Sequence, residues 1–275
     1  MPTPRSEVGA AAIAGKIHVV GGFGGAGSAV NEEYDVATDS WQARTPLPIG
    51  RDHPGVAAAD GRLYVFGGFA GSPLPSALEY DPAQDRWREL PPLPTPRGAL
   101  GLAVVDGKIY AVGGVGPQGD TGATEVFDPT TEQWRSVAPM PTARDHLAVV
   151  AINGRIYAIA GRLGNMAQKL DANEEYDPAA DRWRPRRPIP TARSGVAGAV
   201  LANRAYVFGG EQPSGTFREN EEYDPVADTW TARAPMSAGR HGLAAATVGD
   251  AIYVLAGGPT PGGSQIGTNE AFSFN

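Results

Sequence analysis

The repeat unit that predicts the fold is clearest in residues 51–94, which begin RDHPGVAAADGRLYVFGG. It continues through a loop to LEYDPAQDRW and ends in RELPPLP. The same order of landmarks recurs about six times along the 275 residues. A fixed internal period of this size is the signature of a repeat architecture. The chain is therefore predicted to be an array of one structural unit.

Three landmarks set the phase of this repeat. An arginine recurs at spacings of 46, 46, 47, 49 and 47 residues, and a Gly-Gly or Ala-Gly pair begins sixteen residues after each one. We call these the phase arginines, and they are Arg5, Arg51, Arg97, Arg144, Arg193 and Arg240. Each unit also has an aromatic landmark: Tyr34, Tyr80, Phe127, Tyr176, Tyr223 and Phe272. In five units a tryptophan follows seven residues later, and this phase holds every tryptophan of the chain: Trp41, Trp87, Trp134, Trp183 and Trp230. Chance does not produce such a distribution, so the tryptophans are predicted to pack within the blades.

Each unit has the pattern of four short strands. A small apolar strand is followed by a tight turn such as Asp60-Gly61, a pair that tolerates the positive φ of a two-residue hairpin. The second strand, residues 62–66, is a continuous β-branched and aromatic run, as expected when both faces are buried. The third strand leads into the turn 81–85, with proline at its second position, and the fourth carries the tryptophan. Four antiparallel strands repeated six times predict a β-propeller.

The sequence resembles the kelch-repeat family, of the bacterial type. The resemblance rests on the glycine pair, the spaced tyrosine and tryptophan, and the turn Tyr80-Asp81-Pro82, and it covers essentially the whole chain. It implies an all-β fold in which residues 1–275 form a single six-bladed propeller domain. The blade units would begin near residues 5, 51, 97, 144, 193 and 240.

Composition narrows the classes of partner. The net charge is −7 and no run of lysine or arginine forms a phosphate-binding stripe, which argues against nucleic acid. No apolar run is long enough to cross a membrane, and no basic-then-apolar leader precedes the first repeat. The absence of cysteine excludes disulfides and the copper chemistry of galactose oxidase, which needs a cysteine-linked tyrosine.

The sixth unit ends after its third strand, so one outermost strand is expected to be missing from that blade. Either the chain is trimmed from a longer parent, or the sixth blade is natively three-stranded. In the second case residues 269–275 would form an unpaired edge open to association. We predict a monomer, with an edge-mediated dimer as the alternative.

The resemblance also implies where a ligand would bind. Two positions per blade reach the ligand in well-studied kelch binding domains, one directly after the phase arginine and one directly after the glycine pair. The first ring is Ser6, Asp52, Gly98, Asp145, Ser194 and His241. The second ring is Phe23, Phe69, Val115, Arg162, Glu211 and Gly258. From these we select Ser6, Phe23, Asp52, Phe69, Asp145, Arg162, Ser194, Glu211 and His241 as candidate ligand-binding residues, on loops whose variation on a rigid ring is typical of specificity.

Other polar residues are assigned structural roles. The phase arginines are predicted to satisfy carbonyls between neighbouring blades, with third-strand glutamates as their partners: Glu33, Glu79, Glu125, Glu175, Glu222 and Glu270. His53 and His146 stand in Arg-Asp-His triplets, and imidazole with carboxylate suits a metal. Because their blades are a third of a turn apart, we expect the two rings to lie too far apart for one ion. We predict no metal, no cofactor and no catalytic residue.

Three functions are compatible with these features. The first is a binding module that presents a loop-lined pocket at the channel mouth to a protein, a peptide or a polar small molecule. The second is an enzyme like the kelch-type sugar mutarotases, and the third is a structural or engineered scaffold without a ligand. An aromatic-rimmed, solvent-open pocket without a perturbed titratable pair would favour the first function. A coupled acid and base buried in the mouth would favour the second, and the absence of both features would favour the third.

Overall fold

The computed structural model describes residues 1–24 and 27–273. Its main sheets are five of four strands and one of three, and each is antiparallel and consecutive along the chain. These sheets are the blades of a six-bladed β-propeller, which confirms the predicted fold. No helix in the described ranges is long and apolar enough to span a membrane.

The strands follow the predicted repeat closely. The innermost strands are Gly9–Ile13, Gly55–Ala59, Gly101–Val105, Ala148–Ile152, Ala197–Leu201 and Ala244–Val248. The second strands are Lys16–Val20, Arg62–Phe66, Lys108–Val112, Arg155–Ile159, Arg204–Phe208 and Ala251–Leu255. The third strands are Asn31–Asp35, Ala77–Asp81, Thr124–Asp128, Asn173–Asp177, Asn220–Asp224 and Asn269–Ser273. The outer strands are Ser40–Arg44, Arg86–Leu90, Gln133–Val137, Arg182–Pro185 and Thr229–Ala232.

The connections between second and third strands contain short elements of secondary structure. They are two small hairpins, Val115–Gly116 with Gly119–Asp120 and Glu211–Gln212 with Gly215–Thr216, and two 3-10 turns, Gly27–Ala29 and Met166–Gln168. Because consecutive strands are antiparallel, these connections open on the same face of the ring as the segments that lead into each inner strand. We call this face the mouth face.

The inner strands line the central channel with small apolar side chains such as Ala11, Ala57 and Ala103, around a cavity of about 330 Å³. The second strands are buried almost throughout; Leu63, Val65 and Phe66 have no exposed area. The apolar clusters join residues of adjacent blades, as when Tyr64 and Phe66 pack with Ile109 and Phe127. The core is therefore six layers between blades instead of one central core.

The tryptophans pack within the blades, as predicted, and they also tie neighbouring blades together. Trp134 packs at 5.0 Å from both Phe127 of its own blade and Phe66 of the preceding blade. Its indole N–H donates to the carbonyl of Pro91 in the preceding blade at 2.8 Å. Equivalent bonds link Trp87 with Thr45, Trp183 with Ala138 and Trp230 with Arg187.

The phase arginines are fully buried structural residues, but they do not bridge blades in the predicted way. Arg144 donates from Nε to the carbonyl of Ala160 and from Nη2 to that of Ala158, both at 2.8 Å and both in the blade that it begins. A third bond, from Nη1, reaches the carbonyl of Thr142 two residues earlier at 2.9 Å. Each guanidinium therefore fastens the mouth-side end of its own blade.

The predicted carboxylate partners are wrong in four blades. The arginines pair with Glu32, Glu125, Glu174, Glu221 and Glu270, each two residues before the aromatic landmark. The predicted Glu33, Glu79, Glu175 and Glu222 stand one residue before it, and they pair with more exposed arginines instead. A shift of one residue along a strand turns the side chain to the opposite face. In the second blade Leu78 takes the partner position, and burial lowers the pKa of the unpaired Arg51 to about 10.

The ring closes through the amino-terminal segment. The Met1 amino group donates to the carbonyl of Gly267 at 2.6 Å. This bond is equivalent to that from the Leu47 amide to Ala29 in the first blade. Arg5 pairs with Ile266 in an isolated bridge, so residues 1–5 join blade six to blade one.

Blade six has three strands within the described residues, and its third strand is partly exposed where its counterparts are buried. A groove of about 90 Å³ runs beside Phe272 and Ala234, at the place where the tryptophan of the other blades packs. The last two residues of the predicted edge, 274 and 275, lie outside the described residues. The monomer and the edge-mediated dimer both stay predictions.

Candidate functional site

The mouth of the channel is built on a closed ring of backbone hydrogen bonds. In every blade the residue two positions after the phase arginine donates its amide to the carbonyl of its counterpart in the preceding blade, at 2.6–3.1 Å. These mouth-ring residues are Glu7, His53, Ala99, His146, Gly195 and Gly242. All six have positive φ between 51° and 68°. The ring positions their side chains rigidly around one axis.

The side chains on this ring are chemically uneven. Three blades carry only alanine or glycine, whereas blades one, two and four carry Glu7, His53 and His146. The small residues leave room that the large ones enter, and a cavity of about 80 Å³ remains among them. Since Ala99 shows that the backbone ring needs no functional group, the three large polar side chains are additional to what the fold requires.

These three side chains converge. The Glu7 Oε2 atom lies 3.2 Å from Nε2 of His53 and 4.0 Å from Nε2 of His146. The two imidazole rings are 4.8 Å apart between centroids. The expectation that His53 and His146 lie too far apart for one ion is therefore wrong. Positive φ at the mouth turns both rings inward across the narrow axis, which shortens the separation that their blades alone would give.

Each histidine is held from behind by the aspartate that precedes it. Nδ1 of His53 lies 2.6 Å from Oδ1 of Asp52, and Nδ1 of His146 lies 2.5 Å from Oδ1 of Asp145. Because a carboxylate accepts, Nδ1 carries the hydrogen in both rings, and Nε2 is directed toward Glu7 and the cavity. The Arg-Asp-His triplet therefore encodes an oriented imidazole.

A second set of charges continues the cluster over blades four to six. Arg162 donates to Asp145 at 3.1 Å, to Glu211 at 2.8 Å and to Nε2 of His146 at 2.9 Å. Nδ1 of His241 lies 3.1 Å from Oε1 of Glu7 and 3.5 Å from Oε2 of Glu211. Arg162 and His241 thus connect the predicted ligand-binding residues with the mouth ring.

The pKa values reflect this crowding. Burial alone would raise the pKa of Glu7, but the charges of the surrounding histidines hold it well below its usual range. Burial works against the charged form of His53 too, but Glu7 and Asp52 outweigh it and raise the pKa of His53. Burial lowers the pKa of His146. At the side of the cluster, burial and the nearby Asp145 raise the pKa of Asp120 to about 6.

Aromatic side chains form the opposite wall. The ring of His53 stands edge-on between Phe23 at 5.3 Å and Phe69 at 5.5 Å. Phe23 is 41% exposed, which is unusual for a large apolar residue in this chain. Phe23 and Phe69 thus give the mouth an aromatic side. Loop residues 25 and 26 beyond Phe23 lie outside the described part of the chain.

The nine candidate residues differ in how far they are exposed to solvent. In each blade the two predicted positions are bridged to each other through their backbones, as Asp145 is to Arg162. Phe23, Asp52, Phe69 and Arg162 are at least partly open to solvent, whereas five are buried: Ser6, Asp145, Ser194, Glu211 and His241. The hydroxyl groups of Ser6 and Ser194 are buried without a hydrogen-bond partner. Neither serine lines the cavity at the mouth.

Sequence reasoning missed the centre of the cluster. Glu7 is not among the candidates, and His53 and His146 are expected to lie too far apart for one ion. The usable signal is that the position two residues after the phase arginine is glutamate or histidine in three blades and alanine or glycine in the other three. The contribution of Asp120 had no comparable signal, because it depends on a hairpin in the loop of blade three.

Comparison with known proteins agrees with this architecture. Residues 34–210 match the KLHDC2/KLHL20/DRC7 Kelch-repeats domain, and residues 4–48 and 192–237 match the Kelch motif. The solved structure of YjhT superposes with a TM-score of 0.87 at 19% identity, covering 100% of this chain and 99% of that one. A search of curated proteins finds no match.

The protein is a six-bladed propeller with a polar cluster at its mouth. Because the first of these matches covers more than half of the chain, the protein belongs to the kelch-repeat family. Kelch propellers commonly mediate interactions, so the fold supports an interaction module in general. The likeness to YjhT, at that level of identity, concerns the fold alone.

Proposed function

We propose that the protein is a binding module that holds a polar small ligand at the channel mouth. The observation that carries the proposal is the convergence of Glu7, His53 and His146, which three other blades replace by alanine or glycine without loss of the backbone ring. Buried charged groups are costly to a fold unless they are paired. A set that the ring does not require is best explained by a role in recognition.

The chemistry of the mouth indicates the kind of ligand. Among the described mouth residues, carboxylates outnumber the permanent cation. Asp145 and Glu211 pair with the guanidinium of Arg162, whereas Glu7 and Asp52 lie against the imidazole of His53. Such a surface favours hydroxyl or amine groups, which donate hydrogen bonds to carboxylates. The exposed face of Phe23 offers an apolar surface beside them. A sugar or an amine with an apolar face fits both walls, and a pocket with few convergent polar groups and aromatic lining is typical of small-molecule sites.

The test is a thermal-shift screen with neutral sugars, amino sugars, polyamines and tripeptides. A ligand at ten times its Kd stabilises the folded protein by about 1.4 kcal/mol, which corresponds to a shift of several degrees. Phe23→Ala is expected to weaken binding of any hit at least tenfold while leaving the melting temperature nearly unchanged. Its control is Val226→Ala, which removes another exposed apolar side chain, 82% exposed, in the turn after the third strand of blade five.

Two results would contradict the proposal. One is a screen in which no compound stabilises the protein. The other is a hit whose affinity, measured by calorimetry, is the same in Phe23→Ala as in the wild type, because that ligand would then bind away from the mouth.

A second candidate is acid–base chemistry on a sugar, as in kelch-type mutarotases. It is favoured by the buried contact of 3.2 Å between the carboxylate of Glu7 and the imidazole of His53, since an acid and a base in one pocket can move the proton of a sugar hydroxyl. Exchange between anomers, measured by NMR magnetisation transfer, should then be faster with the wild type than with Glu7→Gln by about 10²–10⁴-fold. Anomer exchange at the uncatalysed rate for every sugar tested would exclude this candidate.

A further inference from the structure

We infer that Glu7, His53 and His146 form a binding site for one divalent transition-metal ion of the zinc or iron type. The ligand atoms of these three residues all lie within 4.8 Å of one another. Two of the three pairs are separated by 3.2 and 4.0 Å. Ligand atoms at about 2.0–2.2 Å from a tetrahedral zinc ion stand roughly 3.4 Å apart, so small side-chain movements complete the site.

The surroundings of the histidines support a metal more strongly than the ligand set alone. A histidine that binds a metal usually donates its other ring N–H to a carboxylate, which orients the ring and increases its basicity. Asp52 and Asp145 do this for His53 and His146, at 2.6 and 2.5 Å. Glu7 is oriented in the same manner by His241, whose Nδ1 lies 3.1 Å from the other carboxylate oxygen. All three ligands are thus held by a partner at the atom that does not face the other two ligands.

The ring also provides the rigidity that a metal site needs. The three ligands stand on equivalent positions of the closed backbone ring, and each amide donates to the carbonyl of the preceding mouth-ring residue. The cavity of about 80 Å³ has room for an ion and one or two waters, each of which occupies about 30 Å³ in the liquid. Three protein ligands on one side would leave coordination positions open toward the solvent, as in catalytic rather than structural sites.

The nature of the ligands determines the class of metal. Two imidazole nitrogens with one carboxylate suit zinc, and the same set with open positions is typical of non-haem iron. Calcium and magnesium prefer oxygen ligands and are not expected to compete. Arg162 competes with the ion for His146, because its Nη2 donates to Nε2 of that ring at 2.9 Å. It can release this bond and keep its two carboxylate partners, Asp145 and Glu211.

The experiment is titration of untagged protein, dialysed against EDTA, with Zn²⁺ by calorimetry and with Co²⁺ by visible absorption. We expect one ion per chain and d–d bands of Co²⁺ bound to nitrogen and oxygen ligands. His53→Ala and His146→Ala should each weaken binding at least 100-fold. Both variants should fold, because Ala99 occupies the equivalent position in blade three with the same φ, 54°.

Two further variants separate this site from adventitious binding. Asp52→Asn, which alters only the group behind His53, should weaken binding about 10–100-fold. His18→Tyr should leave affinity unchanged, since His18 lies in a second strand away from the mouth and the other five blades carry tyrosine at this position. Absence of binding by the wild type, or equal weakening in His18→Tyr and His53→Ala, would overturn the inference.

The inference does not depend on the proposed ligand, because the titration uses the metal alone. A failed ligand screen together with a positive metal titration would reject the proposed function and keep the metal site. A positive screen with no metal binding would do the opposite. If both hold, an open coordination position would be available to an oxygen or a nitrogen of the ligand.

Discussion

Replacing Arg144 by methionine is expected to lower the free energy of unfolding by about 3–5 kcal/mol, because it breaks a buried ion pair from one side. The guanidinium is fully buried and bonds Glu174 at 2.5 Å together with the carbonyls of Ala158, Ala160 and Thr142. Methionine fills much of the volume but donates nothing. Glu174 and the carbonyls would then be left in a site that water does not reach.

Urea denaturation followed by tryptophan fluorescence measures this loss, and the same blade supplies the control. Arg155 pairs with Asp177 at 2.7 Å, but its side chain is 38% exposed. Arg155→Met should therefore cost less than about 1 kcal/mol. Equal losses in the two variants would show that the phase arginines are not structural. The double change Arg144→Met with Glu174→Leu should recover part of the loss, since it removes both charges. Leucine already occupies the carboxylate position in the second blade, as Leu78.

The second large effect is expected for Gly114→Ala, which should cost about 3 kcal/mol. Gly114 has a φ of 103°, beyond the left-handed region that alanine tolerates. A Cβ there would lie 2.6 Å from the carbonyl oxygen of Gly98 and 3.0 Å from Cβ of Leu100. That carbonyl accepts the amide of Val115, so the substitution would also disturb the backbone bridge in the wall of the mouth.

The neighbouring glycine is the matched control. Gly113 has a φ of 64°, and the same position in blades four and six is natively alanine, Ala160 and Ala256, at 59° and 61°. A Cβ at Gly113 would lie 2.8 Å from the carbonyl oxygen of Arg144, a contact that blades four and six accommodate with their native alanines. Gly113→Ala should therefore cost about 1–2 kcal/mol, the ordinary difference for alanine in the left-handed region. If thermal or urea unfolding shows the two variants to be equally unstable, the second glycine of the pair has no special conformational role.

This difference in φ explains why the two positions of the glycine pair accept different residues, which the sequence alone does not explain. The first residue of the pair is glycine or alanine, whereas the second is glycine in all six blades. The first lies at φ 59–68°, where a small side chain is accepted, and the second at φ 96–120°, where only glycine is. Period and composition revealed the pair, but the backbone angles were needed to separate its two positions.

The candidate site also divides into features that the sequence predicts and features that only the structure shows. The resemblance to kelch proteins placed Asp145, Arg162, Glu211 and His241 in one mouth, and the structure brings them into one network. It could not identify Glu7 as the centre, because its neighbours in space are 46 and 139 residues away along the chain. The structural partners were also misassigned, since Glu33 and Glu32 differ by one position but face opposite sides of a strand.

The architecture could be predicted from the sequence, because the repeat shows the order of strands, the turns and the packing residues in one unit after another. The convergence of the site residues follows only from the closed ring, in which Glu7 of blade one meets His146 of blade four. Ring closure turns six distant positions toward one axis, and the positive φ of each directs its side chain across a few ångströms of channel. The local sequence does not predict that convergence, because the distance between His53 and His146 depends on the radius of the closed ring and on the inward tilt of both residues.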